Sequence, residues 1–356
     1  MANNLSRNEP FVAFGGKVDP LNDIRNAGII TSGDVYWVSN ESDSAHRTRH
    51  DAIGGGNFAV SVQAGLDKTT DDANDYVMVI PQDDNAVWAD ADLGAAAGTP
   101  LVVSTDRVHL LSVGYGQSVH GYNNTFESFA TATGAYDTSL VNVNGAGVEM
   151  AGFRILGTTG TSDNGTISAG YLQVGTSGNG TPHNFWAHDM AVENNLGAAA
   201  TGGTNVIIDI SGDVAGGISG LRFDRVWAGN RSWVPAAVIN VSGTAGPSRA
   251  EVHDSTFVID AQATTDSFVT WGTGETEYTT FENCRFINVE AGTAPASAIE
   301  GALLVDNPLM VVNTIGLNVT ELGTDTEAFV APVSSGTRAL LYNTNIASGT
   351  AALVAA

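Results

Sequence analysis

The sequence predicts an all-β chain whose strands stack in parallel, coil upon coil, as a right-handed solenoid, and three observations lead there. The first is a short polar word that returns about every thirty residues. Its copies are Ala187-His188-Asp189-Met190-Ala191-Val192, Phe223-Asp224-Arg225-Val226-Trp227, Val252-His253-Asp254-Ser255-Thr256-Phe257, Phe281-Glu282-Asn283-Cys284-Arg285-Phe286, Val312-Asn313-Thr314-Ile315-Gly316-Leu317 and Tyr342-Asn343-Thr344-Asn345-Ile346. The central polar residues are spaced by 35, 30, 29, 30 and 30, an interval that marks a repeat architecture.

The second observation is an apolar series that keeps the same time: Leu140-Val141-Asn142-Val143, Tyr171-Leu172-Gln173-Val174, Ile207-Ile208-Asp209-Ile210, Val238-Ile239-Asn240-Val241, Phe268-Val269-Thr270-Trp271 and Leu303-Leu304-Val305. Two strand-like segments thus recur per repeat, in fixed order and direction. Each is short and β-branched or aromatic, and they are mostly closed by Gly, Ser or Asn, as strands are. The third observation is that nothing between them has the length or the 3.6-residue period of a helix. Segments repeated in one direction cannot pair as hairpins, so they stack in parallel about 4.8 Å apart, and each coil is stable because its neighbours cover it. A propeller blade takes about 40 to 45 residues, which is longer than the interval here.

Taken in order, residues 1–50 read as an arm or attachment segment with one clear strand, Val35-Tyr36-Trp37-Val38, and no copy of the later repeat. The first ten residues hold no apolar run, so neither a secretory signal nor a membrane anchor is expected there. The segment ends in His46-Arg47-Thr48-Arg49-His50, the densest cationic stretch of a chain with only two lysines. As a short charge run it reads first as a solvated loop. In a chain of net charge −24 the same four residues His46, Arg47, Arg49 and His50 would also suit docking to an acidic partner.

Residues 51–115 read as a cap and the first coils. A short helix is expected within 57–73, placed over the open end of the first coil, because uncovered strand edges invite aggregation. The strands Asp75-Tyr76-Val77-Met78-Val79-Ile80-Pro81 and Pro100-Leu101-Val102-Val103, and then Val108-His109-Leu110-Leu111-Ser112-Val113-Gly114-Tyr115-Gly116, follow. This stretch, with Val148-Glu149-Met150-Ala151-Gly152-Phe153-Arg154-Ile155 further on, resembles the coils of the pectate-lyase-like superfamily over roughly residues 51–346. The resemblance implies a right-handed parallel β-helix over 116–346, with 347–356 as a tail or cap. That superfamily includes pectate lyases, polygalacturonases, phage tailspike depolymerases and non-enzymatic virion proteins, and fold alone does not choose among them.

Composition narrows the choice. The chain has 356 residues, 42 of them Gly, with 43% hydrophobic and only 15% charged residues. That apolar share supports a continuous core and argues against disorder. Nucleic acid is an implausible partner, since phosphate recognition needs clustered Lys and Arg. The single Cys284 excludes an intramolecular disulfide and reads as a small buried thiol.

The recurring polar residues Asp189, Asp224, Asp254, Asn283, Asn313 and Asn343 are expected to stack along one edge as a turn ladder. Short polar side chains belong at turns; the acids among them are either solvated or bridged by a cation such as Ca²⁺, and the solvated reading is preferred. Catalysis by these carboxylates, beside His188 and His253, is the alternative. Against it, the polygalacturonase words Asn-Thr-Asp and Gly-His-Gly are missing, and Arg154, Arg222, Arg225 and Arg285 form no cluster with several acids as in pectate lyases. Trp186, Trp227, Trp233, Trp271 and Tyr278 read as core or interface anchors more readily than as a sugar platform.

The expected function is therefore a non-enzymatic structural protein of a phage virion, a capsid decoration or turret, self-associating as a homotrimer. It would attach through residues 1–50 to the major capsid protein or another virion protein, with no cofactor, metal or membrane. The competing expectation is a tailspike-type depolymerase acting on a host surface glycan.

Overall fold

The computed structural model describes residues 33–40, 56–81, 88, 93, 100–113, 124–129, 139–158, 170–175, 182–194, 206–211, 218–230, 237–242, 249–271, 279–290, 292–300, 309–323, 339–342, 345–348 and 352–355. The chain forms a right-handed parallel β-helix. Among the described residues every strand pairing is parallel except the last.

Each coil presents three faces. The first is built from β1 (Val35–Val38), β3 (Asp75–Val79), β5 (Val108–Ser112), β8 (Glu149–Ala151), the opening halves of β11 (Trp186–Asn194) and β13 (Leu221–Gly229), β15 (Ala250–His253), β18 (Thr279–Glu282), β21 (Leu309–Val312) and β24 (Ala339–Tyr342). The second face carries β6 (Asn124–Phe129), β9 (Phe153–Thr158), the closing halves of β11 and β13, β16 (Thr256–Ile259), β19 (Arg285–Asn288), β22 (Ile315–Leu317) and β25 (Asn345–Ser348). A separate eight-stranded sheet makes the third, from β4 (Leu101–Val103), β7 (Val141–Val143), β10 (Leu172–Val174), β12 (Val206–Ser211), β14 (Ala237–Ser242), β17 (Val269–Trp271), β20 (Ser297–Glu300) and β23 (Glu321–Gly323). The sequence predicts two strands per coil; the structure has three, because the recurring polar word spans two of them.

Left-handed corners divide that word. Gly152, Asp189, Arg225, Asp254, Asn283 and Asn313 all have positive φ, between 49° and 82°, and share one register position between the first and second faces. On the other side of the first face Asn74, Arg107, Gly147, Asn184 and Gly220 do the same, with φ between 56° and 74°. Gly, Asn and Asp are the residues that enter this region most easily. Each middle coil therefore gives the first face four residues between two left-handed ones, as in Asn184-[Phe185-Trp186-Ala187-His188]-Asp189.

Within each four, the first and third side chains point in and the second and fourth point out. The inward row Val77, Leu110, Met150, Ala187, Phe223, Val252, Phe281 and Val311 runs in register through the first face, every member at most 3% exposed. It meets Leu101, Val141, Leu172, Ile208, Ile239, Val269 and Ile299 from the third face in one continuous core. Burying each large side chain contributes roughly 1.5–3 kcal/mol, so stability accumulates coil by coil.

Just past the second-face corner, three coils place a small polar atom at one buried position. The Val226 N–H donates to Ser255 Oγ at 3.1 Å, and the Cys284 N–H donates to Thr314 Oγ1 at 3.3 Å. Cys284 Sγ in turn donates to the Val252 carbonyl at 3.4 Å. Cys284 is thus a structural thiol, fully buried, and burial pushes its ionisation up to about 12.

The two ends are closed in different ways. β1 pairs in parallel with β2 (Phe58–Ala59) and with β3, so the sheet begins inside the segment read as an arm. Helix α1 is short, Val62–Leu66, capped by Ser61 Oγ accepting from the Ala64 N–H at 3.2 Å. From α1 the Gln63 amide reaches the edge of β4: its Oε1 accepts from the Val102 N–H at 2.9 Å and its Nε2 donates to the Val102 carbonyl at 3.2 Å. One side chain thereby stands in for a missing neighbouring strand. At the other end β26 (Ala352–Ala355) folds back antiparallel on β25.

Candidate functional site

The outward positions of the first face form two rows, and the character of those rows changes along the solenoid. At the N-terminal end the surface is apolar: Trp37, Met78, Leu111 and Ala151 stand in register and are all at most 8% exposed, in a hydrophobic cluster on the opposite side of the sheet from the main core. Beyond Ala151 the same row continues as His188, Asp224, His253, Glu282 and Val312. The parallel row beside it reads Tyr76, His109, Glu149, Trp186, Arg222, Glu251, Thr280 and Met310. In both rows basic and acidic groups alternate from coil to coil through the polar stretch, with Trp186 the interruption.

Parallel stacking explains the alternation. Equivalent residues of adjacent coils lie about 4.8 Å apart, where like charges repel and opposite ones attract. The contacts follow. Glu149 takes His109 Nδ1 on one oxygen and His188 Nε2 on the other, the latter at 2.8 Å. His188 Nδ1 bonds Asp189 Oδ2 at 2.8 Å, and Arg225 grips Asp189 with two donors at 2.7 Å each. His109 Nε2 reaches Asn74 Oδ1 at 3.1 Å, and its ring stacks on Tyr76 at 4.3 Å. One hydrogen-bonded chain therefore ties Asn74, His109, Glu149, His188, Asp189 and Arg225 together across successive coils.

A second branch runs beside it. Trp186 Nε1 donates to Asp224 Oδ2 at 2.8 Å, and Arg222 bridges the same oxygen at 2.7 Å. The Trp186 ring is stacked by His188 at 4.2 Å and carries the Arg222 guanidinium at 5.4 Å. Further along, His253 sits 3.2 Å from Glu282 and 3.7 Å from Glu251, which Arg249 bridges at 2.6 Å.

The electrostatics are those of a set of ion pairs. Burial pushes the Glu149 carboxyl up, but the hydrogen bonds from His109 and His188 outweigh it and bring the group down to about 2. Burial disfavours the His188 cation, yet Glu149 and Asp189 on its two nitrogens hold its pKa above the usual value. Asp189 is likewise opposed by burial and lowered by Arg225 and His188, while Arg225 is raised by Asp189. His188 therefore has both nitrogens, and Glu149 both oxygens, engaged in hydrogen bonds within the cluster.

Of the residues expected from sequence, Asp189, Asp254, Asn283 and Asn313 lie at the shared corner, but Asp224 does not. Arg225 occupies that position, with φ 53°. Asp224 is instead the fourth residue of its four, one place earlier, and is buried at 2% exposure. The correction has a physical cause: in–out alternation aligns Phe223 with Val252, which sets Arg225 against Asp254, whereas matching acid to acid shifts the frame by one. Asn343 and the cationic residues His46, Arg47, Arg49 and His50 lie outside the described residues. Among the described residues no group of three or more His, Cys, Asp or Glu side chains is arranged to hold a metal ion.

The tryptophans do not share a surface. Trp186 is on the first face, Trp227 on the second and the backbone of Trp271 on the third; Trp233 and Tyr278 lie outside the described residues. His109 and Glu149, from one outward row, and His188, from the other, are not brought together by the sequence reading, although the repeat, once framed by its corners, places all three on one outward surface.

No protein family matches the chain, and no curated protein matches it. Among solved structures it is similar to the pectin methylesterase from Aspergillus niger in deglycosylated form, with 10% identity over 89% of this chain and 88% of that one, at a TM-score of 0.43. It is also similar to pectin methylesterase PemA from Erwinia chrysanthemi, with 12% identity over 89% and 90% of the two chains and a TM-score of 0.44. At such identity and TM-score, neither substrate nor residue role is taken from the likeness.

Proposed function

We propose that this chain is a non-enzymatic structural protein of a phage particle, a head decoration or turret, attached through the residues that precede its first coil. One observation carries the non-enzymatic part: in the densest titratable cluster of the described residues, His109, Glu149, His188, Asp189 and Arg225 use their polar atoms on one another across the coils. Such a chain fixes register between coils. The virion part rests on the acidic composition, the distinct leading segment and the sequence resemblance. Binding of the purified chain to empty phage heads, with many copies per particle, is the expected result. Truncation should stop at residue 32, since removing residues 1–50 also takes β1 from the first coil. Loss of head binding in the shorter truncation supports attachment there, and unchanged binding rejects it.

One observation favours a second reading. Asp224 Oδ1 is buried and has no hydrogen-bond partner among the described residues, beside the half-exposed Arg222. Oδ1 is closed to solvent, so a donor on a bound glycan would satisfy it only after the side chains around it move, as the depolymerase reading requires. New reducing ends released from host polysaccharide by the native chain, and lost in Asp224→Asn, would decide for that reading.

A further inference from the structure

On the second face one strand is built inside out. β22 reads Ile315-Gly316-Leu317, with Gly316 buried and the two large side chains 43% and 41% exposed. The inward position is small for a reason: Phe286, its register partner in the coil before, fills the core there, with ring centroids 5.3 Å from Phe257, 5.3 Å from Phe268 and 5.9 Å from Phe281. Nothing in that packing requires Ile and Leu outside.

The exposed side chains are also grouped. Among the described residues the large exposed hydrophobics are Val60, Val289, Met310, Ile315 and Leu317. Val289 directly follows β19, which pairs with β22, and the half-buried Ile287 stands in register with Leu317. A contiguous apolar patch on an otherwise polar surface marks a contact site, whereas single exposed residues mark nothing.

Its rim carries both signs. Arg285, in register with Ile315, is exposed and forms no ion pair among the described residues. Glu290, half-buried, adjoins Val289, accepts from the Gly292 N–H at 2.9 Å and lies against Asp260, whose carboxyl is raised by burial and by Glu290. A twofold contact must be complementary to itself, each residue facing a copy of the same surface. An apolar centre flanked by the Arg285 cation on one side and the Glu290–Asp260 acid pair on the other meets that condition, and it places the attraction where a chain of charge −24 would otherwise repel its own kind.

We propose that the second-face surface of Arg285, Ile287, Val289, Glu290, Ile315 and Leu317 binds a second copy of this chain. The patch is small against the roughly 800 Å² that each partner gives to a standard interface, so association is concentration-dependent. The inference stands apart from the virion assignment: a dimer without head binding leaves it intact.

Sedimentation equilibrium of the full chain, from about 1 μM to about 1 mM, a range that brackets a contact of this size, tests it. The weight-average mass should rise above 36.7 kDa as concentration increases. Ile315→Ser with Leu317→Ser should weaken association at least tenfold. Arg285→Glu, at an exposed position that the fold does not use, should weaken it at low salt and leave circular dichroism unchanged. A chain that stays monomeric throughout, or association untouched by both variants, overturns the proposal. So does a monomeric chain that captures a different particle protein through the same residues.

Discussion

The polar stretch of the first face and the apolar patch of the second are both outward surfaces of the same solenoid, yet they are finished in opposite ways. From His109 to Arg225 each charged group meets its opposite one coil away and the set closes on itself. From Arg285 to Leu317 the cation has no partner among the described residues and the large side chains face water. The proposed contact with a second copy uses the surface with unfinished contacts.

The comparison is broken most severely at Glu149. Glu149→Ala leaves His188, whose side chain is 5% exposed, with a single counter-ion, and is expected to cost roughly 3 kcal/mol, as removal of one partner from a buried pair does. Arg285→Ala should stay within about 0.5 kcal/mol, as exposed substitutions do. Urea unfolding would compare them, and hydrogen exchange at β8 and β11 would show whether the loss is local, since solenoids can open in parts.

Titration sharpens the same contrast. The raised pKa of His188 contributes stability that is present below its unfolded-state value of about 6.5 and is lost as pH rises through the folded value. The lowered carboxyl of Glu149 contributes stability present above about 4.5 and lost as pH falls toward 2. Thermal stability should therefore be greatest in mildly acidic solution, and Glu149→Gln should flatten the profile on both sides. A profile unchanged by that substitution would show that the ion pairs do not couple to folding.

Smaller effects belong to neutral contacts that are also closed. Gln63→Ala removes both bonds to Val102 and exposes the edge of β4, at about 1–2 kcal/mol, with more aggregation on concentration measured by light scattering. Cys284→Ser should change stability by less than about 1 kcal/mol, because Ser255 and Thr314 already fill the equivalent position with hydroxyls. The native thiol should resist a thiol reagent until the chain unfolds, given its burial and its ionisation near 12.

The fold was legible because alternation and a regular interval survive in single residues: the inward row from Val77 to Val311 can be marked on the sequence once the period is known. The third strand was hidden because a corner takes only one residue, so β11 and β13 run through it without a break in spacing. The same economy concealed Arg225, an improbable residue for a left-handed position, held there by Asp189. The polar cluster stayed invisible for another reason. His109, Glu149 and His188 are about forty residues apart in sequence, and only the register, fixed by Gly147 and Gly152 on either side of β8, brings them together. No signal in the sequence says whether the residues around His46 touch a partner.

The four-residue frame between left-handed corners has one more consequence. Adding or deleting a residue inside it would turn core side chains outward, but the connections between faces carry no such constraint, which is why the step from Asp189 to Arg225 is longer than the later ones near thirty. Foreign peptides grafted into the connection between β11 and β12, residues 195–205, should therefore be carried without disturbing the winding, making the molecule a ruler along which cargo can be hung at chosen heights.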